Sequence, residues 1–444
     1  MFKTLLEKPG LKRYGWNALW LLTDKALRLT AALLVGVWVA RYLGPEKFGV
    51  FSYVLAFVGM LAPLGKLGLD GIISRNVAQN ETDITQLLSN SALLKFLGGA
   101  ALVLIAVVYM SLAKNDPLYV YLSVPISLVV VVKSFEVIEF YFRAKVRSIS
   151  IAAANSLGLI LGASLKVSFI IAGLPIIYFA FANLLDAIIA ATFLLLFFRK
   201  EGYRLDLKKV NVGKAISLTR ESWPLMFGSF FAVVYLNVDQ IMIGEMLTSY
   251  HVGQYSAAVR ISSIWYIFPM TIGWAIQTAV VNAKKTSESL YYERLQDLFT
   301  VMAMLAYLII IPITYFSQDI INIFFGEEYS SSGDVLSLHI WSALFVFVGS
   351  IRGLWIINES YYRFVLFANI GAGLVNVLLN YLWLPKFGII GAAWATLLSY
   401  GFTYVVSGFL FRPASRIAWM QMKSILLLDA IGFLVRKKWA QDGK

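Results

Sequence analysis

The residues able to do chemistry in this chain are ionisable groups set inside apolar stretches. Residues 18–44, ALWLLTDKALRLTAALLVGVWVARYLG, carry Asp24, Lys25 and Arg28 in a run otherwise suited to lipid. Lys66, Lys95, Lys133, Lys166, Arg220, Arg260 and Arg352 lie in or near similar runs, as do Asp70, Glu136, Glu139, Asp186, Glu221 and Asp239. A charge at the bilayer centre costs about 2.5–3.5 kcal/mol on insertion scales, so such groups pair, reach the interface, or face a wet cavity. Asp24 and Arg28 are four apart, and Lys133 and Glu136 three apart. Each pair shares a helix face, which leaves mutual neutralisation open to it. Lys66, Asp70, Arg220 and Glu221 sit near span ends, where snorkelling accounts for them. Arg28, Lys166, Arg260 and Arg352 lie well inside, and the last three have no acid within four residues. They lead us to expect a water-filled, cation-lined cavity for an anionic cargo. Phosphate or diphosphate fits, since Arg holds it bidentately and Lys as a point charge.

Other chemistry is excluded or unsupported. The chain has no cysteine and two histidines, His251 and His339, so no thiolate nucleophile and no Cys/His metal site is expected. No GxxxxGK[ST] phosphate loop occurs. We expect no catalytic residue, no resident metal or cofactor, and no enzymatic activity. Glu327-Glu328 reads as an exposed acidic loop. The net charge of +13 sits in short loops, where it reports topology rather than nucleic-acid binding.

The elements that must position these charges are transmembrane helices. Of 444 residues, 59% are hydrophobic and 14% charged, with a mean hydropathy of +0.74. Continuous apolar runs of about 20 residues recur along the chain, each long enough to cross a ~30 Å hydrocarbon core. The sequence predicts an all-α polytopic membrane protein with about 12 spans, at 16–41, 47–71, 88–112, 118–142, 149–172, 175–198, 218–245, 252–281, 293–316, 335–358, 362–384 and 388–411. The loops separate by charge. One set, from the N-terminal segment through 199–214 to the tail, holds 25 Lys/Arg; the other holds Arg41, Lys47, Lys114 and Lys386. The positive-inside rule puts the first set and both termini in the cytoplasm. Gly158 and Gly162 form a GxxxG, read as close helix packing.

The loop RKEGYRLDLKKVNVGK at 199–214 divides the spans six and six, and the halves resemble each other. GVFS at 49–52 matches GQYS at 253–256, and IIYFAFANLL at 176–185 matches IIGAAWATLL at 389–398 at six of ten positions. An even number of spans per copy makes the repeats parallel. The expected organisation is an interfacial N-terminus at 1–15, an N-lobe at 16–198, a cytoplasmic linker at 199–217, a C-lobe at 218–411, and a basic tail at 412–444 holding an interfacial helix or a partial extra span.

VARYLGPEKFGVFSYVLAFVGMLAPLGKLGLDGIISRNVAQ at 39–79 resembles the polysaccharide repeat-unit flippases of the Wzx type. NVDQIMIGEMLTSYHVGQYSAAVRI at 237–261 and LPKFGIIGAAWATLLSYG at 384–401 are similar to that family too. The wider superfamily also holds lipid II flippases and MATE drug exporters. The resemblance implies two six-helix lobes in a V, and alternating-access movement of an undecaprenyl-diphosphate-linked oligosaccharide across the inner membrane for O-antigen or capsule synthesis. It implies membrane lipid and, in the pathway, a polysaccharide polymerase and a chain-length regulator as partners. Proton or sodium coupling is implied for some relatives. The principle of a cationic cavity is carried onto Lys25, Arg28, Lys133, Lys166, Arg260 and Arg352. Asp24, Glu136 and Asp239 are the candidates for ion coupling or for holding these cations. The competing reading is a cation-coupled multidrug antiporter of MATE type. Basic rather than acidic deep charges argue against it, and the short outside loops argue against a membrane-embedded polymerase or glycosyltransferase.

Overall fold

The computed structural model describes residues 9–79 and 83–429, except for the side chains of residues 9–29, 32, 274 and 275. Among the described residues no strand occurs. Among the described residues nine helices are long and apolar enough to cross a membrane, and a tenth is a pair bent by 44° between Gly273 and Ile276. Two of the nine are each a pair of helices fused end to end at one glycine, Gly44 and Gly388. The set therefore corresponds to twelve spans. We number them α1 (9–43), α2 (45–65), α3 (Ile84–Ala113), α4 (Pro117–Ala144), α5 (Ser148–Ile171), α6 (Ile176–Lys200), α7 (Val212–Met246), α8 (249–286), α9 (Glu288–Tyr315), α10 (Ser331–Glu359), α11 (362–387) and α12 (389–410).

The two glycine joints follow from backbone sterics. Gly44 has φ 73° and ψ 165°, and Gly388 has φ 57° and ψ −144°. A Cβ disfavours such conformations strongly, so glycine occupies them. Each joint lets one helix stop and the next begin with almost no loop. At Gly388 the chain reverses, so that a Cβ at Gly391 would sit 2.7 Å from the Trp383 carbonyl oxygen.

The surface has the polarity that a lipid solvent demands. Leu104, Leu112, Ile171, Leu308 and Leu374 are exposed, while Ser123, Ser127, Ser262, Asn376 and Asn380 are buried. Water would penalise that much exposed apolar area, whereas hydrocarbon accepts it and leaves polar groups to seek partners inside. The protein is a multi-pass membrane protein.

The chain divides into two compact units, 1–237 and 238–444, with the boundary inside α7. In the first unit α3 packs on α4, α5 on α6, and α4 on α6. Its apolar core gathers Leu69, Ile73, Leu88, Val137, Phe142 and Phe198. The connection from α6 to α7 is fastened to the start of α3. The Asp206 backbone N–H donates to Ser89 Oγ at 2.9 Å, the Asn211 N–H to Asn90 Oδ1 at 3.0 Å, and Gln86 Nε2 to the Lys209 carbonyl at 3.1 Å. Asp83 caps α3 by accepting from the Gln86 N–H at 3.0 Å. That bond, with help from Lys209, holds the Asp83 carboxyl below the usual carboxylate range.

In the second unit α9 packs on α10, and α12 lies against α10, where a Cβ at Gly401 would sit 3.3 Å from the Phe345 ring. α12 contains a π-helical turn at Phe402–Val406. After α12, a short helix, Ser415–Ile425, buries Ile417, Ala418, Met420, Gln421 and Ser424, packing on α9 and the end of α12. Its Ser424 hydroxyl bonds Gln296 at 2.9 Å and Thr300 at 3.1 Å. Of the expected interfacial segment at 1–15, residues 1–8 lie outside the described residues, as does the tail beyond 429, while residues 9–15 are helical and continuous with the rest of α1.

The GxxxG of α5 does what close packing requires. A Cβ at Gly158 would sit 2.6 Å from both the carbonyl and a carboxylate oxygen of Asp186 on α6, and one at Gly162 would sit 3.0 Å from Asp186 Cβ. The missing side chains make room for a polar residue to lie against the neighbouring helix. Gly158→Leu is therefore expected to destabilise the protein by about 1–3 kcal/mol through overpacking. Gly353→Ala, where nothing lies within 4 Å of the new Cβ, should be neutral. Thermal unfolding of both variants in detergent checks this, and equal melting temperatures would remove the α5–α6 contact from the argument.

Candidate functional site

The first unit gathers a charged cluster where α2 ends and α4 breaks. Helix α4 narrows to a 3₁₀ turn at Lys133–Glu136, which turns Lys133 and Glu136 toward each other at 3.3 Å. Glu136 is also 3.1 Å from Lys66 Nζ, just past α2. Two ammonium groups thus share one carboxylate. Lys66 and Glu136 are each somewhat more than a quarter exposed, so the group meets water as well as protein. One turn further, Glu139 accepts from Arg143 at 2.8 Å and from Asn155 of α5 at 3.1 Å. Lys95 of α3 is almost fully buried, pairs with Asp70, and lies 5.5 Å from the centroid of the Phe140 ring. Arg75 meets Glu221 at 2.6 Å. Three of the groups assigned to snorkelling, Lys66, Asp70 and Glu221, are therefore partners of residues on other helices.

The second unit contains a different site, almost free of charge. Asp239 on α7 is 3% exposed. Asn380 of α11 donates to its Oδ1 at 2.6 Å, while the hydroxyls of Tyr255 on α8 and Thr396 on α12 lie 2.9 and 2.5 Å from its Oδ2. Tyr255 and Thr396 are 2.9 Å apart. Asn376 Oδ1 accepts from Asn380 at 3.0 Å. Among the described residues the Asn380 Oδ1 and Asn376 Nδ2 atoms have no hydrogen-bond partner. Four spans thus converge on one carboxylate. Beside it, His339 packs edge-on against Tyr255 with ring centroids 5.9 Å apart, and its Nδ1 is 2.8 Å from Ser262 Oγ.

The remaining candidates are distributed as follows. Arg352 is buried on α10, donates from Nη1 to the Thr403 carbonyl at 2.5 Å, and stacks 4.7 Å from the Phe364 ring centroid. Thr403 lies in the π-helical turn, a feature frequent at functional positions. Lys166 on α5 and Arg260 on α8 are half-buried. Asp24, Lys25 and Arg28 fall in helix α1, and their side chains lie outside the described residues. The structure thus brings Lys133 to Glu136, and gives Asp239 and Arg352 neutral partners. Sequence spacing had no signal for Tyr255, Asn380 or Thr396. Among the described residues no group of three or more His, Asp or Glu side chains is placed to hold a metal ion.

A family profile described as Polysaccharide biosynthesis protein matches residues 15–281. A second, described as MatE, matches residues 224–382. The chain is 24% identical, over 88% of its length and 84% of the relative's, to the probable low-salt glycan biosynthesis flippase Agl15 of Haloferax volcanii. Among solved structures, it is similar in fold to the lipid II flippase MurJ in an inward closed conformation, with a TM-score of 0.71, 15% identity, and coverage of 94% of this chain and 92% of the other. It is equally similar to an inward-facing multidrug resistance MATE family transporter of the MOP superfamily, with a TM-score of 0.71, 15% identity, and coverage of 89% and 96%. A MOP superfamily transporter from Pyrococcus furiosus, described as having a binding pocket of reverse polarity, gives a TM-score of 0.63 at 16% identity and coverage of 94% and 98%. The expected fold class, about twelve helices of MATE-like architecture, agrees with these neighbours.

The Lys66–Glu136–Lys133 cluster predicts a defined coupling. Lys66→Ala should destabilise the protein by about 1 kcal/mol, the scale for a partly exposed pair. Adding Glu136→Gln to it should recover part of that loss, because the carboxylate no longer lacks one of its cations. Thermal unfolding of the wild type, both single variants and the double variant measures the coupling. Simple additivity would show that the three groups act independently.

Proposed function

This chain belongs to the polysaccharide biosynthesis protein family, and from that premise we propose that it is a flippase for a lipid-linked glycan. The proposed cargo is an undecaprenyl-diphosphate-linked oligosaccharide, carried across the inner membrane toward O-antigen, capsule or related surface polysaccharide. The observation that carries the reading is the cluster in the first unit where Lys66 and Lys133 share the carboxylate of Glu136. Two ammonium groups thus face one carboxylate at this point of the bundle, and Lys133 and Lys166 belong to the proposed cationic set. A diphosphate is the part of such a cargo that hydrocarbon excludes most strongly, and ammonium and guanidinium groups compensate it. Lys25, Arg28, Arg260 and Arg352 complete the proposed cationic set. The organisation into lobes at 16–198 and 218–411, and both termini in the cytoplasm, belong to the same proposal and rest on loop charge. So do a polymerase and a chain-length regulator as pathway partners.

Asp239 is our candidate for ion coupling, ahead of Glu136 and Asp24. Its surroundings offer a carboxylate, the Thr396 and Tyr255 hydroxyls, and an Asn380 amide oxygen without a hydrogen bond. An all-oxygen set with one negative charge suits one hard monovalent cation, and sodium is the natural probe. A proton on the carboxylate is the other way to neutralise it.

A second reading, a cation-coupled multidrug antiporter, is favoured by one observation: the MatE profile covers most of the second unit's spans. The two readings part on cargo. Deleting the gene in its host and extracting lipid-linked species for mass spectrometry, beside a complemented strain, should show accumulated diphosphate-linked repeat units and loss of surface glycan. An unchanged lipid-linked pool with intact surface glycan would discard the flippase and put the antiporter first. In proteoliposomes carrying that lipid-linked glycan, a sodium gradient should accelerate flipping by the wild type. Asp239→Asn should lose at least tenfold of the acceleration, and an unaltered sodium response in that variant would remove Asp239 from the coupling.

A further inference from the structure

The second unit has a groove apart from the Asp239 site, with one member of the proposed cationic set, Arg352, behind its wall. It lies between the start of α11 and the end of α12 and encloses 760 Å³. That is within the roughly 300–1,000 Å³ typical of small-molecule sites. Its walls are the rings of Phe364, Phe367, Phe402 and Phe411, with Tyr361 and Arg363 at the end where α11 begins. Phe367 is 69% exposed, so the groove opens sideways, toward the surroundings of the spans.

Charge at the groove is of one sign. Arg363 is part of its lining, and Arg412 follows Phe411 directly. Neither makes an ion pair with a described residue. Behind the wall, the buried Arg352 guanidinium lies 4.7 Å from the Phe364 centroid. Its charge acts through an aromatic ring rather than through water, so it is weakly screened. The one acid close by in sequence, Glu359, is held 2.7 Å from Lys284. No lining residue is acidic. The opening also lies at the end of the unit with the basic loops, where Arg363 and Arg412 emerge.

An apolar trough with cations at one end has the shape of an amphiphile. A soluble peptide would have to give up water at membrane depth. A bilayer phospholipid is already there, with its chains beside the rings and its phosphate at the height of the arginines. Basic pockets between transmembrane helices bind anionic headgroups by this logic. We propose that this α11–α12 groove is a specific site for one anionic glycerophospholipid of the surrounding bilayer, its acyl chain lying on Phe364, Phe367 and Phe402 and its phosphate on Arg363 and Arg412. Its lining residues are not among those proposed to hold the cargo, and its test does not depend on the cargo.

The test is native mass spectrometry of the delipidated full chain in detergent, titrated with phosphatidylglycerol or phosphatidylcholine of identical acyl chains. One phosphatidylglycerol should be retained at least tenfold more tightly than phosphatidylcholine. Arg363→Glu and Phe367→Asp, both at exposed positions, should each remove that preference while the protein stays monodisperse. In the wild type, a phosphatidylglycerol bearing a diazirine on its acyl chain should crosslink to peptides containing 360–368 and 402–411. Equal retention of the two lipids would overturn the proposal, as would crosslinks confined to other helices. Crosslinks at this groove that undecaprenyl diphosphate suppresses and excess phosphatidylglycerol does not would also overturn it, by making the groove part of the cargo site.

Discussion

Hydrocarbon offers a charge no partner, so every ionisable group in these spans depends on another protein group to meet it. The two units meet that demand by different means. The first uses opposite charges on different helices. Lys66 beyond α2 meets Glu136 in α4, Lys95 in α3 meets Asp70, and Arg75 meets Glu221 in α7. Each pair crosses from one element to another, so the charges that would be costly alone become the fasteners between helices. The second unit surrounds its carboxylate with neutral donors. Asp239 draws one group each from α8, α11 and α12. A neutral shell satisfies an anion without cancelling its charge, and so keeps the site electrostatically open to a cation.

Backbone glycine serves the same end by a different route. Polar side chains are useful inside a bundle only if helices come close enough for them to reach. At Gly158 and Gly162 the absence of side chains lets α5 approach Asp186 on α6. At Gly44 and Gly388 positive φ angles let one helix end and another begin with a single residue between them. Short joints leave few backbone groups unpaired at the ends of spans. They also fix the vertical register of α11 against α12, and with it the height at which Asn380 and Thr396 meet Asp239.

Much of the fold was legible because its cause is additive along the chain. Twenty apolar residues span a bilayer whatever their neighbours are, so the spans could be read from hydropathy alone. The glycine joints also left a trace, in YLGPEKFG at 42–49 and LPKFGII at 384–390. The Lys133–Glu136 contact was legible too, since three residues along a helical path bring two side chains to one face. What lay hidden was the partnership between distant residues. Asp239 reaches Thr396, 157 positions away, and no spacing rule covers that interval. Lys66 and Asp70 sat near the end of a span, where snorkelling suffices, because their partners Glu136 and Lys95 belong to other helices. Arg352 shows a further limit. A search for acids within four residues finds none, yet its guanidinium is met by the Thr403 carbonyl and the Phe364 ring. Neutral partners of a cation carry no sign that a charge pattern can detect.

The donors around Asp239 constrain how any ion coupling there can work. The carboxylate already accepts from Asn380 and lies within hydrogen-bond reach of two hydroxyls, so a cation does not enter an unsatisfied site. It must take over oxygens that now face donors. Tyr255 and Thr396 would turn their hydroxyl protons away, and Asn380 would present its unbonded Oδ1 in place of its Nδ2. Each change is made on a different helix, α8, α12 and α11, while Asp239 itself stays on α7. Under the proposed coupling, a bound cation would favour the placement of the four helices that brings these oxygens to it, and the protonated carboxylate the placement that keeps the donated hydrogen bonds. A ligand shifts a conformational equilibrium only by its difference in affinity between states. For the proposed site that difference would come from the exchange of donated hydrogen bonds for ion–oxygen contacts at a point where four spans meet.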